Sequence, residues 1–176
     1  MPTPRYASSR RWLHWSIVVL LVAAFVLIEF RGVFDRGTTG RVAMVQGHFW
    51  VGIAILALML PRLLQALRKP APPVSPPLPA WQALPARGVH VLLYAMLIVQ
   101  PLLGIATAWT DGKTILVPFT SIAVPALLAA DKELAHQLED IHKLVANGFY
   151  FVVGLHVLAA LYHHFVRRDD TLRRMT

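Results

Sequence analysis

The stretch "IHKLVANGFYFVVGLHVLAALYHHF", residues 141–165, has the length and apolar content of a membrane-spanning helix, yet it contains four histidines. A helix needs about 20 predominantly apolar residues to cross the hydrocarbon core of a bilayer. Ionisable side chains inside such a span are rare, face the interior of the helix bundle and by default indicate a functional site. The stretch therefore predicts a membrane protein whose histidines carry its chemistry.

The composition of the whole chain agrees with a membrane protein. Hydrophobic residues make up 56% of the 176 residues and charged residues only 15%, whereas a soluble domain is about 45–50% apolar. The net charge of +8 is compatible with nucleic acid or with lipid headgroups, and the long apolar runs favour lipid. No nucleic-acid partner is expected. The absence of cysteine excludes disulfides, thiolate metal sites and covalent haem attachment.

Apolar runs long enough to span a membrane occur at roughly 12–30, 42–66, 87–109 and 139–166. They predict one all-α domain over residues 1–176, an integral membrane four-helix bundle. The proline-rich segment at 69–85 is a predicted linker, because proline interrupts both helices and strands. Residues 110–138 are a predicted outer loop that lies at the interface or covers a haem. Its apolar part is short and contains two prolines, which argues against a fifth span.

The distribution of basic residues predicts the orientation of the bundle. Of the 17 Lys and Arg residues, eleven lie in the two terminal tails and in the connection between the second and third spans with its flanks. The other two connections carry six. Because cytoplasmic connections carry the excess of Lys and Arg, both termini are predicted to be cytoplasmic.

The fourth span presents two histidines on one face. His142 and His156 are fourteen residues apart, so they differ by about 40° around the helix and by about 21 Å along it. This separation is too long for one metal ion and suits two stacked haems, each with one ligand from this helix. Cofactor sites in bundles use side chains from facing helices, so each haem needs a second histidine from another span.

Depth in the membrane predicts the partners. His48 lies near the outer end of its span, as His142 does, so these two are the predicted outer pair. His14 and His156 each lie about 22–24 Å from the outer boundary, whereas His90 lies about 31 Å from it. Depth therefore favours His14 as the inner partner of His156, and His90 is the alternative ligand.

Two histidines near the cytoplasmic face have two interpretations. His90 and His163 are either ordinary interfacial residues or hydrogen-bond donors to the headgroup of a quinone. A third class of function, a metal or proton transporter, is disfavoured because no acidic residue lies within the membrane between the two histidine levels.

Several short motifs give the chain a recognisable pattern. It resembles the bacterial cytochrome b561 family along nearly all of its length. The motifs that carry the resemblance are "LHW" at 13–15, "EFRG" at 29–32, His48, "RLL" at 62–64, "PAPP" at 70–73, His90, Tyr94, "ANGFYFVVGLH" at 146–156, "ALYHHF" at 160–165 and "DTLRRM" at 170–175.

This resemblance implies a multi-pass protein of the bacterial inner (cytoplasmic) membrane with two b haems. The matching axial ligands of the haem irons are His14 and His156 on the cytoplasmic side, and His48 and His142 on the periplasmic side. The resemblance further implies a superoxide oxidase, a superoxide:ubiquinone oxidoreductase, with His90 and His163 in the quinone region. Electrons would pass at the haem edge, without a catalytic side chain. The alternative is a cytochrome b membrane-anchor subunit that passes electrons from a partner dehydrogenase or hydrogenase to quinone.

Overall fold

The computed structural model describes residues 5–68, 71–72 and 74–176. Within these residues the chain is helical, with no β-strand, and its four long helices each have the length and apolar content to cross a membrane. Their bounds are α1 (Ser8–Glu29), α2 (Thr39–Arg68), α3 (Ala80–Thr110) and α4 (Lys132–Tyr162). The predicted all-α membrane fold with four spans is therefore confirmed.

Each helix begins before its predicted span, because hydropathy marks only the part of a helix that lies in lipid. The extension is seven residues at the start of α3, at Ala80 instead of 87, and also at the start of α4, at Lys132 instead of 139. The Asp131 carboxylate caps α4 by accepting a hydrogen bond of 3.0 Å from the Leu134 backbone N–H. At its other end α4 stops at Tyr162, and a π-helical turn, His163–Arg167, follows.

The predicted linker at 69–85 is too long. The helix α3 already begins at Ala80 and includes Pro85, so the prediction of a non-helical linker was wrong for residues 80–85. Pro85 lies beyond the first turn of α3, and membrane helices tolerate proline because neighbouring groups and local adjustments satisfy the freed backbone. Residues 69, 70 and 73 of the predicted linker lie outside the described residues.

The bundle is held together by packing between helices that are neighbours in the chain and by aromatic contacts between α1 and α4. The helices pack in chain order, α1 on α2, α2 on α3 and α3 on α4. Between α1 and α4, the Phe25 ring lies 4.0 Å from the Tyr150 ring and 6.3 Å from the Phe149 ring, measured between centroids. Large apolar side chains are exposed on every helix, as expected where lipid is the solvent.

Both termini lie at one end of the bundle. The Tyr6 backbone N–H donates a hydrogen bond of 3.1 Å to the Arg174 carbonyl, and the Trp15 indole N–H donates one of 2.8 Å to the Met175 carbonyl. We call this the terminal end, and we call the opposite end, which contains residues 111–131, the loop end. That the terminal end faces the cytoplasm stays a prediction.

The loop end contains a small hairpin at residues 115–124, closed by two backbone hydrogen bonds of 2.8 Å. Gln46 of α2 holds this hairpin, because its side chain accepts a hydrogen bond of 3.0 Å from the Leu116 N–H and donates one of 2.8 Å to the Thr114 carbonyl. The Trp50 indole N–H also donates to the Leu116 carbonyl, at 2.6 Å. The connection between α3 and α4 is thereby fixed to α2.

Candidate functional site

At the loop end, α2 and α4 bring two histidines together. The ring centroids of His48 and His142 are 6.4 Å apart, and the ring planes are nearly perpendicular. The His48 Nδ1 lies 2.9 Å from the Ala24 carbonyl oxygen, so it must donate its proton there and leave Nε2 free for a metal. We call His48 and His142 the loop-end pair.

The His142 ring has one nitrogen without a hydrogen-bond partner and lies close to α3. Its Nδ1 is buried and has no hydrogen-bond partner among the described residues. The Gln100 amide of α3 donates to the His142 carbonyl at 2.9 Å and lies 3.3 Å from the His142 Nε2. A Cβ atom at Gly104 would lie 3.1 Å from the His142 Cε1. Glycine at this position therefore lets the imidazole approach α3.

At the terminal end, three histidines from three helices meet. The ring centroids of His14 on α1 and His156 on α4 are 6.4 Å apart, and we call these two the terminal-end pair. The His90 ring on α3 is closer to the His156 ring, at 5.3 Å. The His90 Nδ1 lies 2.6 Å from the Ala86 carbonyl of its own helix.

A cation that the sequence analysis did not single out lies beside the terminal-end pair. The guanidinium of Arg62 lies 3.2 Å from the His14 Nδ1 and donates a hydrogen bond of 3.2 Å to the Arg10 carbonyl. Among the described residues, no carboxylate forms an ion pair with Arg62. Its position inside the predicted span 42–66 was the available signal, because charges within spans are rare and functional.

His163 is paired with an acid that the sequence analysis also missed. The Asp169 carboxylate has 0% exposed side-chain area, and one of its oxygens lies 2.6 Å from the His163 Nδ1 and 3.1 Å from the Arg167 Nε. Burial raises the pKa of Asp169, but hydrogen bonds from His163 and Thr171 outweigh it and hold this pKa below its usual range. His164 has a different neighbour, the Phe165 ring.

The loop end carries a positively charged cavity of about 340 Å³. Its walls combine apolar residues with the basic side chains of Arg36, Arg41 and Lys113. Lys113 is neutralised by Asp111, at 2.8 Å. No ion pair joins either arginine to a carboxylate in the part of the chain that the structure describes. The two arginines thus make this cavity locally positive, although acidic residues elsewhere at the loop end balance the basic ones.

A family model described as prokaryotic cytochrome b561 matches residues 5–176. The chain belongs to this family. Among its relatives, cytochrome b561 homolog 1 of Escherichia coli (strain K12) is 33% identical over 171 residues, covering 97% of this chain and 96% of the relative. The probable superoxide oxidase CybB of Yersinia pestis is 39% identical over 172 residues, covering 97% and 95%. Cytochrome b562 of Cereibacter sphaeroides is 27% identical over 176 residues, covering 98% and 95%.

Membership in the cytochrome b561 family makes this chain a multi-pass bacterial membrane protein that transfers electrons and binds haem b. The histidine pairs fit such a group. A metal–nitrogen bond of about 2.0 Å, with the ring centre about 1.2 Å behind the nitrogen, places two imidazole centroids on opposite sides of an iron about 6.4 Å apart. Both pairs have this separation. The separation of His90 from His156 is about 1 Å too short.

The donor set also fits haem better than a bare ion. Within the described residues, no group of three or more His, Asp or Glu side chains could hold a metal ion. A haem iron takes four nitrogens from the porphyrin and needs only two axial ligands from the protein. A site with two imidazoles is therefore complete for haem and incomplete for zinc or another free cation.

Proposed function

We propose that this cytochrome b561 oxidises superoxide to oxygen and reduces ubiquinone, in the bacterial inner membrane. The loop-end pair, His48 and His142, and the terminal-end pair, His14 and His156, each hold one haem b. The observation that carries this proposal is the equal separation of the two pairs, 6.4 Å in both, at two levels of one bundle. The name of the Yersinia pestis relative, probable superoxide oxidase, supports the choice of electron donor.

When bound, haem b would supply reversible one-electron chemistry. The residues of the chain hold and orient it. The hydrogen bond from His48 to the Ala24 carbonyl fixes the tautomer that presents Nε2. The contact of Gln100 with the His142 backbone joins α3 to α4 at the same level. His14, His48, His142 and His156 would hold the two haems without leaving an iron position for superoxide or ubiquinone, so electron exchange would need neither of them bound to iron.

The loop end is the expected site of electron donation. Superoxide is a small anion, and the positive field of Arg36 and Arg41 raises its local concentration. The hairpin at 115–124 is fixed to Gln46 and Trp50, each two residues from His48, so it limits which molecules reach this pair. Oxidation of superoxide releases one electron and no proton, so no general base is needed here.

The terminal end is the expected site of quinone reduction. Ubiquinone takes up two electrons and two protons, so its site needs hydrogen-bond donors and access to protons. His90, beside His156, and His163, paired with Asp169, supply such donors. Arg62 supplies a permanent positive charge beside His14. Among the described residues, a histidine–carboxylate pair occurs at the terminal end and not at the loop end, which gives the two ends different chemistry.

The test uses the purified protein alone. A superoxide-generating system should produce the reduced b-type spectrum, superoxide dismutase should suppress this reduction, and added ubiquinone-1 should reoxidise the protein. Failure of superoxide to reduce a protein that contains haem would contradict the proposal. Reduction that requires a dehydrogenase or hydrogenase would instead assign the chain to the membrane-anchor function.

A further inference from the structure

One face of α4 repeats every seven residues. His142, Phe149 and His156 share this face, with neighbours about 10.5 Å apart along the axis and turned by only about 20°. His163, the first residue after α4, keeps helical dihedral angles and continues the same spacing. Phe149 is buried between the two histidine levels. His163 therefore lies one seven-residue step beyond His156 of the terminal-end pair. The proposed function places the exit of electrons at this end of the bundle.

The ring of His163 is held in one orientation. Its Nδ1 faces one oxygen of Asp169 at 2.6 Å, and the other oxygen accepts a hydrogen bond of 3.0 Å from the Thr171 N–H. The side chain of His163 is 14% exposed and that of Asp169 is 0% exposed. With Nδ1 engaged, only Nε2 can exchange a proton. A carboxylate on the far side of an imidazole fixes its tautomer and stabilises the imidazolium that forms during proton transfer.

The other charged groups near His163 form hydrogen bonds with partners other than His163. Arg167 donates through Nε to Asp169 and through Nη1 to the Gln82 side chain of α3. The centroid of the Tyr162 ring lies 6.0 Å from the centroid of the His163 ring. In the tail, Asp170 accepts a hydrogen bond from the Ser75 N–H, and Arg174 donates to the Tyr6 hydroxyl and to a linker carbonyl. Asp169 is thus the one carboxylate in the described residues that bonds to His163.

We propose that the His163–Asp169 pair delivers the protons for quinone reduction. This inference rests on the proposed function. As each electron reaches ubiquinone, the His163 Nε2 gives one proton to a quinone oxygen. The ring keeps its Nδ1 proton, which stays hydrogen-bonded to the Asp169 carboxylate. Water at the exposed edge of the ring then reprotonates Nε2. Two such cycles, with two electrons and two protons, convert ubiquinone to ubiquinol. Asp169 stays a carboxylate and is a positioning residue.

The test compares Asp169→Asn with a matched control, Asp170→Asn. Both acids are buried in the same tail, but only Asp169 bonds to His163. Stopped-flow spectroscopy between about pH 6 and 9 follows reduction by superoxide and reoxidation by ubiquinone-1 separately. In Asp169→Asn, we expect reoxidation to fall by about tenfold or more, most strongly at high pH, because general acids contribute at least this factor. Reduction by superoxide stays within about twofold, and Asp169→Glu restores part of the loss. In Asp170→Asn, we expect the wild-type pH profile.

The possible failures are distinguishable. If ubiquinone does not reoxidise the wild-type protein, the proposed function is wrong. If it does, and Asp169→Asn has the rate and pH profile of Asp170→Asn, the proton-delivery role is wrong while the proposed function stands. If Asp169→Asn does not assemble with haem, His163→Gln decides the question. Reoxidation in that variant with the wild-type pH profile and solvent isotope effect overturns the proposal.

Discussion

At the scale of single residues, Gly104 decides how closely the loop-end pair can pack. A Cβ atom there would meet the His142 ring at 3.1 Å. We therefore expect Gly104→Val to displace that imidazole and to lose most of the loop-end haem, because overpacking of this kind costs about 1–3 kcal/mol. The measurement is the haem-to-protein ratio. Gly154→Val is the matched control, because nothing lies within 4 Å of a Cβ at Gly154. Equal haem content in both variants would contradict the role of Gly104.

Arg62 should tune the haem of the terminal-end pair. The Arg62 guanidinium lies 3.2 Å from the His14 Nδ1, and a positive charge on the order of 8 Å from a redox centre disfavours its oxidised state by about 2 kcal/mol at an effective dielectric constant of about 20. We expect Arg62→Gln to lower the midpoint potential of that haem by several tens of millivolts, on the scale of 59 mV per tenfold for one electron. Potentiometric titration checks this shift. Arg68→Gln, on the exposed end of the same helix, should change the potential little.

The four predicted ligands could be chosen from the sequence, because position around a helix and depth in the membrane can both be calculated from residue numbers. His142 and His156 share a face by their separation, and His48 and His14 match them in depth. The neighbours Gln100, Arg62 and Asp169 could not be placed in the same way. Their contacts depend on how each helix is rotated about its axis, and on a tail that folds back after α4. The spacing of residues along the chain determines neither the rotation of a helix nor the path of the tail.

At the scale of elements, Gln46 and Trp50 of α2 hold the hairpin at 115–124. Gln46 makes two hydrogen bonds to it, and each such bond contributes about 1 kcal/mol. We expect Gln46→Leu to raise the rate of amide hydrogen exchange at Leu116 by about tenfold to a hundredfold. The control is Thr120→Val, whose hydroxyl bonds only within the hairpin. If that substitution releases Leu116 equally, Gln46 does not anchor the hairpin.

An ion-pair cluster joins the end of α3 to the start of α4. Asp111 lies 2.8 Å from Lys113 and 2.7 Å from Lys132, and these hydrogen bonds lower the pKa of Asp111 to about 2 from 3.8. A carboxylate with a depressed pKa stabilises the fold above its unfolded pKa, and this stabilisation is lost as the pH falls towards 2. The group is partly exposed, so the contribution is below about 1 kcal/mol.

Thermal unfolding of Asp111→Asn tests this linkage. The variant should be less stable than the wild-type protein at pH well above 3.8, the unfolded pKa of Asp111, and the difference should shrink as the pH falls below that value. Lys143→Gln, which removes an exposed ion pair within α4 alone, provides a comparison. A stability difference that does not change with pH would show that Asp111 acts through packing and not through charge.

The membrane spans could be predicted from hydropathy, whereas the exact helix ends could not. Apolar runs are long in this chain and report directly which segments can lie in lipid. The start of α4 depends on one capping carboxylate in a polar segment. The π-helical turn after Tyr162 depends on a contact within the tail, in which the Asp169 N–H donates to the His163 carbonyl at 3.2 Å. Hydropathy is insensitive to both.

At the scale of the whole molecule, the terminal end joins three separate parts of the chain. Tyr6 in the N-terminal segment bonds to Arg174 in the tail, and Asp170 in the tail bonds to Ser75 in the connection between α2 and α3. These parts also carry the excess of basic residues. A fluorescent protein fused to the C-terminus should therefore fold and fluoresce in the cytoplasm, whereas an alkaline phosphatase fusion at the same place should be inactive. The opposite pattern would reverse the direction of electron flow proposed above.

The central claim is that two haems lie at two levels of the bundle, each between two histidines. The most direct measurement is the haem-to-protein ratio of the wild-type protein and of single alanine variants. We expect a ratio of about two for the wild-type protein, about one for the alanine variants of His14, His48, His142 and His156, and about two for His90→Ala. A wild-type ratio near one, or loss of a haem in His90→Ala with retention of both in His14→Ala, would contradict the central claim.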